Sequence, residues 1–188
     1  MRRACLLAVV ASCSLTSHTP PLRYRYFAPV ATVATPSPTP ATCPRLRLGR
    51  ISASDHLRYR IAHRRSPVEV ELYETLRWTE RPEDYVRRAL ASSLFDQRGL
   101  QQAVDAVAPT LDVEITAFEE VERGAQRFGR VELRYQLVDE HDVIQRQTIE
   151  VDREAPTAEI TRVVAVIGDA LAAATAELGQ RVARQLCR

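Results

Sequence analysis

The residue of this chain best placed for covalent chemistry is Cys13, which follows Val10-Ala11-Ser12. An aliphatic residue, two small residues and a cysteine form the bacterial lipobox pattern. The small pair fits a peptidase subsite, and the sulfur accepts a diacylglyceryl group. Upstream, Arg2-Arg3 precedes the apolar run Leu6 to Ala11, the layout of a secretory signal. The run is too short to span a bilayer, which takes ~20 apolar residues. The expectation is therefore a signal peptide at residues 1–12 and lipidation of Cys13. Each buried CH₂ of the acyl chains contributes ~0.8 kcal/mol to the anchor. Ser14 stands where an Asp would favour inner-membrane retention in enteric bacteria, which makes the periplasmic face of the outer membrane the default address. An ordinary secretory signal or an apolar N-terminal strand is the competing reading.

Cys5 leaves with the signal, so Cys43 and Cys187 are the remaining thiols in an oxidising compartment. An even pair there invites a disulfide. Closing a loop on the order of 140 residues is worth roughly 4–5 kcal/mol on the chain-entropy model. Two unpaired thiols are the alternative.

Other reactive constellations are missing. His18, His56, His63 and His141 follow no ligand spacing, and there is no HExxH, paired CxxC or GxSxG. The six glycines make no GxGxxG. The chain has no Lys, which excludes a Walker A loop, a pyridoxal Schiff base and a Ser-Lys dyad. No catalytic residue, metal site or cofactor is expected, and the chain reads as a non-enzyme. The formal net charge is +2, and removing Arg2 and Arg3 leaves 26 − 2 = 24 cations against 24 acids. A neutral balance does not point to nucleic acid.

Some charged and aromatic residues allow two readings. Glu119-Glu120 and Asp139-Glu140 could be paired carboxylates, but solvated acids at strand ends and turns are the simpler account. Arg58 with Arg60, and Arg64 with Arg65, could line an anionic lipid headgroup or an acidic partner, whereas alternation on a strand implies plain solvent exposure. Trp78, the only Trp, is either a partner-binding anchor or a plug at a sheet-to-helix corner, the second being favoured.

The elements that position these residues follow from periodicity. Residues 13–44 read as a Pro/Thr-rich tether, with the run Pro36-Ser37-Pro38-Thr39-Pro40 and a short strand at about 22–28. Period-two alternation predicts strands over 46–51, 57–62 and 68–73, then over 111–118, 131–137 and 143–151 as an antiparallel meander. Pro82, followed by Glu83 and Asp84, opens a helix with Tyr85, Val86, Ala89, Leu90 and Leu94 as its apolar stripe and Gly99 as its stop. A short helical piece is expected at 100–107. A long helix is expected over 157–186, where Gly168 and Gly179 each weaken it by ~1 kcal/mol and allow a bend. The sum is an α+β domain at 45–188, a single mostly antiparallel sheet with two main helices on one face.

This order resembles the ABC-type transport auxiliary lipoprotein family, which includes the paraquat-inducible C-type lipoproteins. The resemblance runs from Leu22 to Leu186. It is carried by the lipobox, the Arg23-Tyr24-Arg25-Tyr26 strand and the Leu57-Arg58-Tyr59-Arg60-Ile61 strand. It continues through Tyr73, Arg77-Trp78 and Pro82 before a Leu-spaced helix, then a strand ending in Phe118-Glu119 and the closing run Ala170-Leu171-Ala172-Ala173-Ala174. The long Pro/Thr loop before Arg45 and the poorly aromatic stretch from Arg98 to Pro109 depart from it. The resemblance implies a non-catalytic subunit that partners a membrane permease, an ATPase and an Mce-domain protein in moving lipids between two membranes. Tyr73, Arg77 and Trp78 are its candidate contact or anchor residues. A lipoprotein that itself carries a hydrophobic ligand is the alternative, and assembly into a homo-oligomer stays open.

Overall fold

A computed structural model describes residues 21–31, 44–105, 107–140 and 142–187. The predicted signal, Cys13, most of the tether, Cys43, His18 and His141 lie outside them. Eight strands form one mixed sheet: β1 (Arg25–Phe27), β2 (Arg45–Ala53), β3 (Arg60–Ser66), β4 (Glu69–Trp78), β5 (Gln101–Gln102), β6 (Thr110–Arg123), β7 (Gln126–Asp139) and β8 (Asp142–Ala155). Helix α1 (Pro82–Ala91) follows β4 and continues as a π-helical turn, Ser92–Asp96. Helix α2 (Ile160–Leu186) closes the chain.

The spine is β6. Along one edge it pairs antiparallel with β7 from Thr110↔Val138 to Arg123↔Gln126. Its other edge is shared by two parallel strands, β2 beside Thr110–Ile115 and β3 beside Glu119–Val121. Beyond β3 lie β4, antiparallel, and then β1, parallel. The predicted meander of β6, β7 and β8 is present and supplies the longest ladders, so the sheet is mostly antiparallel. The parallel pairs were not foreseen, because period-two alternation is blind to strand direction.

In β7 the period is strict, with Val131, Leu133, Tyr135 and Leu137 buried in alternation. In α1, Pro82, Glu83 and Asp84 occupy the first turn as expected, and Tyr85, Val86 and Leu90 are buried. The helix α2 lies against β7 and β8, α1 against β2 and β6, and the two helices touch. By length and composition α2 could cross a membrane. Its apolar stripe (Val163, Ile167, Ala170, Leu171, Ala174, Leu178 and Val182) is instead buried in the core.

Two expectations are corrected. The predicted helical piece at 100–107 is the short strand β5, parallel to β2. Gly99, at φ 64°, turns the chain, and the Ala103 N–H then donates to the Leu46 carbonyl at 2.9 Å. Leu100 and Ala103 are buried while Val104 and Val107 are exposed, so apolar residues spaced for a helix are not buried together. The strand predicted over 57–62 begins later, at Arg60, because the Leu57 N–H closes a turn on the Ser54 carbonyl at 2.8 Å. The glycines of α2 do not break it. A Cβ on Gly168 would sit 2.5 Å from the Val30 carbonyl oxygen, so this position lets the segment after β1 cross the helix at close range.

Candidate partner interface

Trp78 ends β4, where the sheet turns into α1. The Trp78 N–H donates to the Tyr59 carbonyl at 2.7 Å, and the Thr79 N–H to that of Phe27 at 2.9 Å. The indole meets Phe118 edge-on at 5.2 Å and Tyr85 at 6.4 Å between ring centroids. Tyr85 and Thr79 share a hydroxyl hydrogen bond of 2.7 Å. With 1% of its surface exposed, Trp78 fills the corner and presents nothing to a partner.

Its neighbour Arg77 emerges on the other face of the strand. One guanidinium nitrogen donates to the Tyr73 and Leu76 carbonyls, both at 3.0 Å, and the group lies 4.8 Å from the ring centre of Tyr24. Tyr73 points elsewhere again. Its hydroxyl donates to Glu120 Oε2 at 2.6 Å, and its ring stacks on His63 at 5.6 Å. Burial, then the hydrogen bond to Glu120, pushes the Tyr73 hydroxyl well above the usual phenol range. Tyr73, Arg77 and Trp78 therefore serve three environments: an ionic cluster, a surface and the core.

The ionic cluster centres on a pair read from sequence as solvated, Glu119-Glu120. Both carboxylates are buried, at 0% and 2% exposure, and both lie inside β6. Here β6 is covered on both faces, with Ala117, Phe118 and Val121 also buried, and a bulge decides which face each acid takes. Between Ile115 and Ala117 the β6 strand carries one residue more than β7, which reverses the pleat. The buried series Leu111, Val113, Ile115 then continues as Phe118. Beyond it Glu119 and Glu120 point to opposite faces, and each meets arginine. Arg64 donates to both oxygens of Glu119, at 2.5 and 3.3 Å. Arg127 reaches Glu120 and Glu122, each at 3.2 Å. Glu122 Oε2 also lies 3.2 Å from His63 Nε2, without hydrogen-bond alignment. Next to Glu119 in the sheet, Arg130 binds Asp152 at 2.8 and 2.9 Å. That hydrogen bond holds the Asp152 carboxyl below its ordinary range. The sequence did carry a signal: the Gly124 turn, at φ 62°, lets β6 run on to Arg123, so the two acids could not be terminal.

An open groove of about 510 Å³ lies over this region, bordered by Arg64, Glu119, Arg123, Arg130 and Glu132. A second, of about 680 Å³, includes Arg50, Asp112, Arg134 and Arg146. Most of the residues that line both carry polar or charged side chains. Among the described residues no cluster of three or more His, Cys, Asp and Glu is placed to hold a metal ion. Asp139 and Glu140 border the β7–β8 turn. His56 lies in the turn before β3. Cys187 is exposed at the C-terminal end of α2. Such an arrangement can hold a rigid, charged surface and can engage complementary charge.

A family model, ABC-type transport auxiliary lipoprotein component, matches residues 26–179. Comparison with curated proteins finds no match. Among solved structures, a Xanthomonas campestris protein of the DUF330 family is 22% identical, with a TM-score of 0.71 over 87% of this chain and 95% of that one. An uncharacterized protein is 14% identical, with a TM-score of 0.65 over 85% of this chain and 99% of that one. A hypothetical protein from Chlamydia trachomatis, at 10% identity, has a TM-score of 0.50 over 74% of this chain and 98% of that one. At these identities the structures speak for the fold alone, and it is the match across most of the described body that decides: the chain belongs to the ABC-type transport auxiliary lipoprotein family.

Proposed function

We propose that the protein is the non-catalytic periplasmic subunit of an ABC transport system that moves lipids between membranes. It is held at the periplasmic face of the outer membrane by acyl chains on Cys13. Its partners are a permease, an ATPase and an Mce-domain protein. The observation that carries this reading is the family match over residues 26–179, downstream of a lipobox. A core packed with Trp78, Phe118 and the α2 stripe, beside grooves lined by Arg and Glu, favours docking over carriage of a hydrophobic ligand. Each helix packs on the sheet and on the other. We take both to cover one face, which leaves the opposite face to partners. Trp78 acts as a structural anchor, and Cys187 pairs with Cys43 in the oxidising periplasm.

The test is co-purification of the lipidated protein from bacterial membranes. Recovery of the Mce-domain protein and permease supports the role, and their absence together with intact lipid transport in a deletion strain overturns it. Labelled palmitate is expected in the wild-type protein and not in Cys13→Ala, and fractionation of the two membranes checks the address. A stoichiometric lipid adduct in native mass spectrometry would favour the carrier role instead. The cysteine pairing predicts a mass two hydrogens below that of the reduced chain.

A further inference from the structure

The first strand and its neighbours form a surface that the docking role leaves unused. The segments 22–27, 55–60 and 74–78 hold five arginines, Arg23, Arg25, Arg58, Arg60 and Arg77, against two acids, Asp55 and Glu74, so 5 − 2 gives a local charge of +3. Register makes part of this one patch: Tyr26 pairs with Arg77 across β1 and β4, and Arg60 with Arg77 across β3 and β4. Tyr24 joins the row through its ring, under the Arg77 guanidinium. Leu22, Tyr24, Tyr26 and Tyr59 are each about half exposed or more. None of the five arginines has a carboxylate within salt-bridge distance among the described residues, whereas Arg64, Arg65, Arg127 and Arg130 all do.

We infer that this β1–β4–β3 edge is a membrane-contact surface that takes anionic phospholipid headgroups. Arginines neutralise the phosphates while tyrosines sit at the depth where a ring is half in apolar surroundings and its hydroxyl is wet. The inference rests on the lipid-anchored reading for its choice of occupant. From Cys13 to Leu22 the chain spans at most about 30 Å, so an acylated Cys13 keeps β1 within reach of its own bilayer. A surface held that close acts at high effective concentration, and modest headgroup affinity suffices to orient the body.

The experiment uses the chain from residue 13 onward with Cys13→Ser, so that no acyl chain contributes, and sediments it with phosphatidylcholine vesicles with or without phosphatidylglycerol. Binding is expected only to the phosphatidylglycerol vesicles, and salt should weaken it. Arg60→Gln with Arg77→Gln, the two arginines of the row, is expected to lower partition by about thirtyfold. Arg153→Gln with Arg162→Gln, the same charge change at exposed sites on β8 and α2, is expected to leave partition unchanged. Thermal unfolding of each variant confirms that it folds. Equal affinity for both vesicle types, no binding, or an equal loss from the Arg153/Arg162 pair would overturn the inference. So would loss of transporter co-purification in the Arg60/Arg77 variant with vesicle binding intact, because the occupant would then be an acidic protein. Palmitate labelling of Cys13 is read separately. Its failure sinks the anchored reading while the vesicle result stands by itself.

Discussion

Arginine has two different fates in this sheet. In the β3–β6–β7 region Arg64, Arg127 and Arg130 are largely buried and lie against carboxylates of other strands. At the β1–β4–β3 edge Arg60 and Arg77 pair with each other, Arg77 also lies beside Tyr26 and Tyr24, and Arg25 lies over the Phe27 ring. Arg60 and Arg64 belong to one short strand, β3. The difference teaches that a strand's own alternation does not decide whether its arginine is structural. The decision falls to the neighbouring strand, which offers Glu119 in one case and Arg77 in the other. Buried charge survives only with a partner, so the first region is committed to stability. The second keeps its charge available for binding.

The largest expected effect divides two adjacent residues. Trp78→Ala should cost about 3–5 kcal/mol, the usual result of emptying a large aromatic site, because the indole is wholly enclosed by Phe118, Tyr85 and the core. Arg77→Gln should cost less than about 1 kcal/mol. Denaturant unfolding measures both. A mild Trp78→Ala would mean that the corner is not closed and that the indole is available to a partner after all.

Within β3 the next contrast is sharper chemically. Arg64→Ala strands the Glu119 carboxylate, and breaking a buried pair from one side typically costs 3–5 kcal/mol. Since Arg64 is partly exposed, about 2–3 kcal/mol is expected. Arg60→Gln, four residues away on the same strand, should lie within about 0.5 kcal/mol of wild type. Equal costs would abolish the distinction between the two regions.

This contrast also marks what the sequence could reveal. Both long helices, the Pro82 start and β7 were legible because each follows its own period, 3.6 or two, and needs no knowledge of a neighbour. Trp78 is buried at the sheet-to-helix corner shortly before Pro82. The burial of Glu119-Glu120 was not legible, because it depends on cover over both faces of β6 and on arginines 55 residues before Glu119 in Arg64 and seven after Glu120 in Arg127. The 100–107 stretch misled for a related reason. Its apolar residues are spaced for a helix, but the edge of β2 offers hydrogen bonds that win. Arg60 and Arg64 looked equivalent in sequence, and only their neighbours across the sheet separate them.

Tyr73 tests the ionic cluster more gently. Tyr73→Phe removes the hydrogen bond to Glu120 but leaves Arg127 in place, so a loss of about 1–2 kcal/mol is expected at neutral pH. The pH dependence has a definite sign. The folded-state pKa of Tyr73 is raised, so folding favours the protonated phenol. That stabilisation is complete below the unfolded value of about 10 and is lost as pH climbs above it. Tyr73→Phe should therefore lose less stability than wild type between neutral and strongly alkaline pH. Burial also raises Tyr135, so ultraviolet titration should show one fewer late-ionising tyrosine in the variant than in the wild-type protein.

The smallest effect compares the two hairpin turns that flank β7. Both require a left-handed residue, Gly124 at φ 62° before β7 and Glu140 at φ 52° after it. For a residue with a side chain that conformation costs roughly 1–2 kcal/mol, whereas glycine adopts it without strain but loses about 0.5–1 kcal/mol more entropy on folding. Glu140→Gly should therefore stabilise the protein by about 0.5 kcal/mol, and Gly124→Ala should destabilise it by about 1 kcal/mol. Thermal and denaturant midpoints resolve the two signs. If Glu140→Gly destabilises the fold, its carboxylate holds an interaction that outweighs the backbone strain, and the β7–β8 hairpin is then another place where a charge, like that of Glu119, is structural.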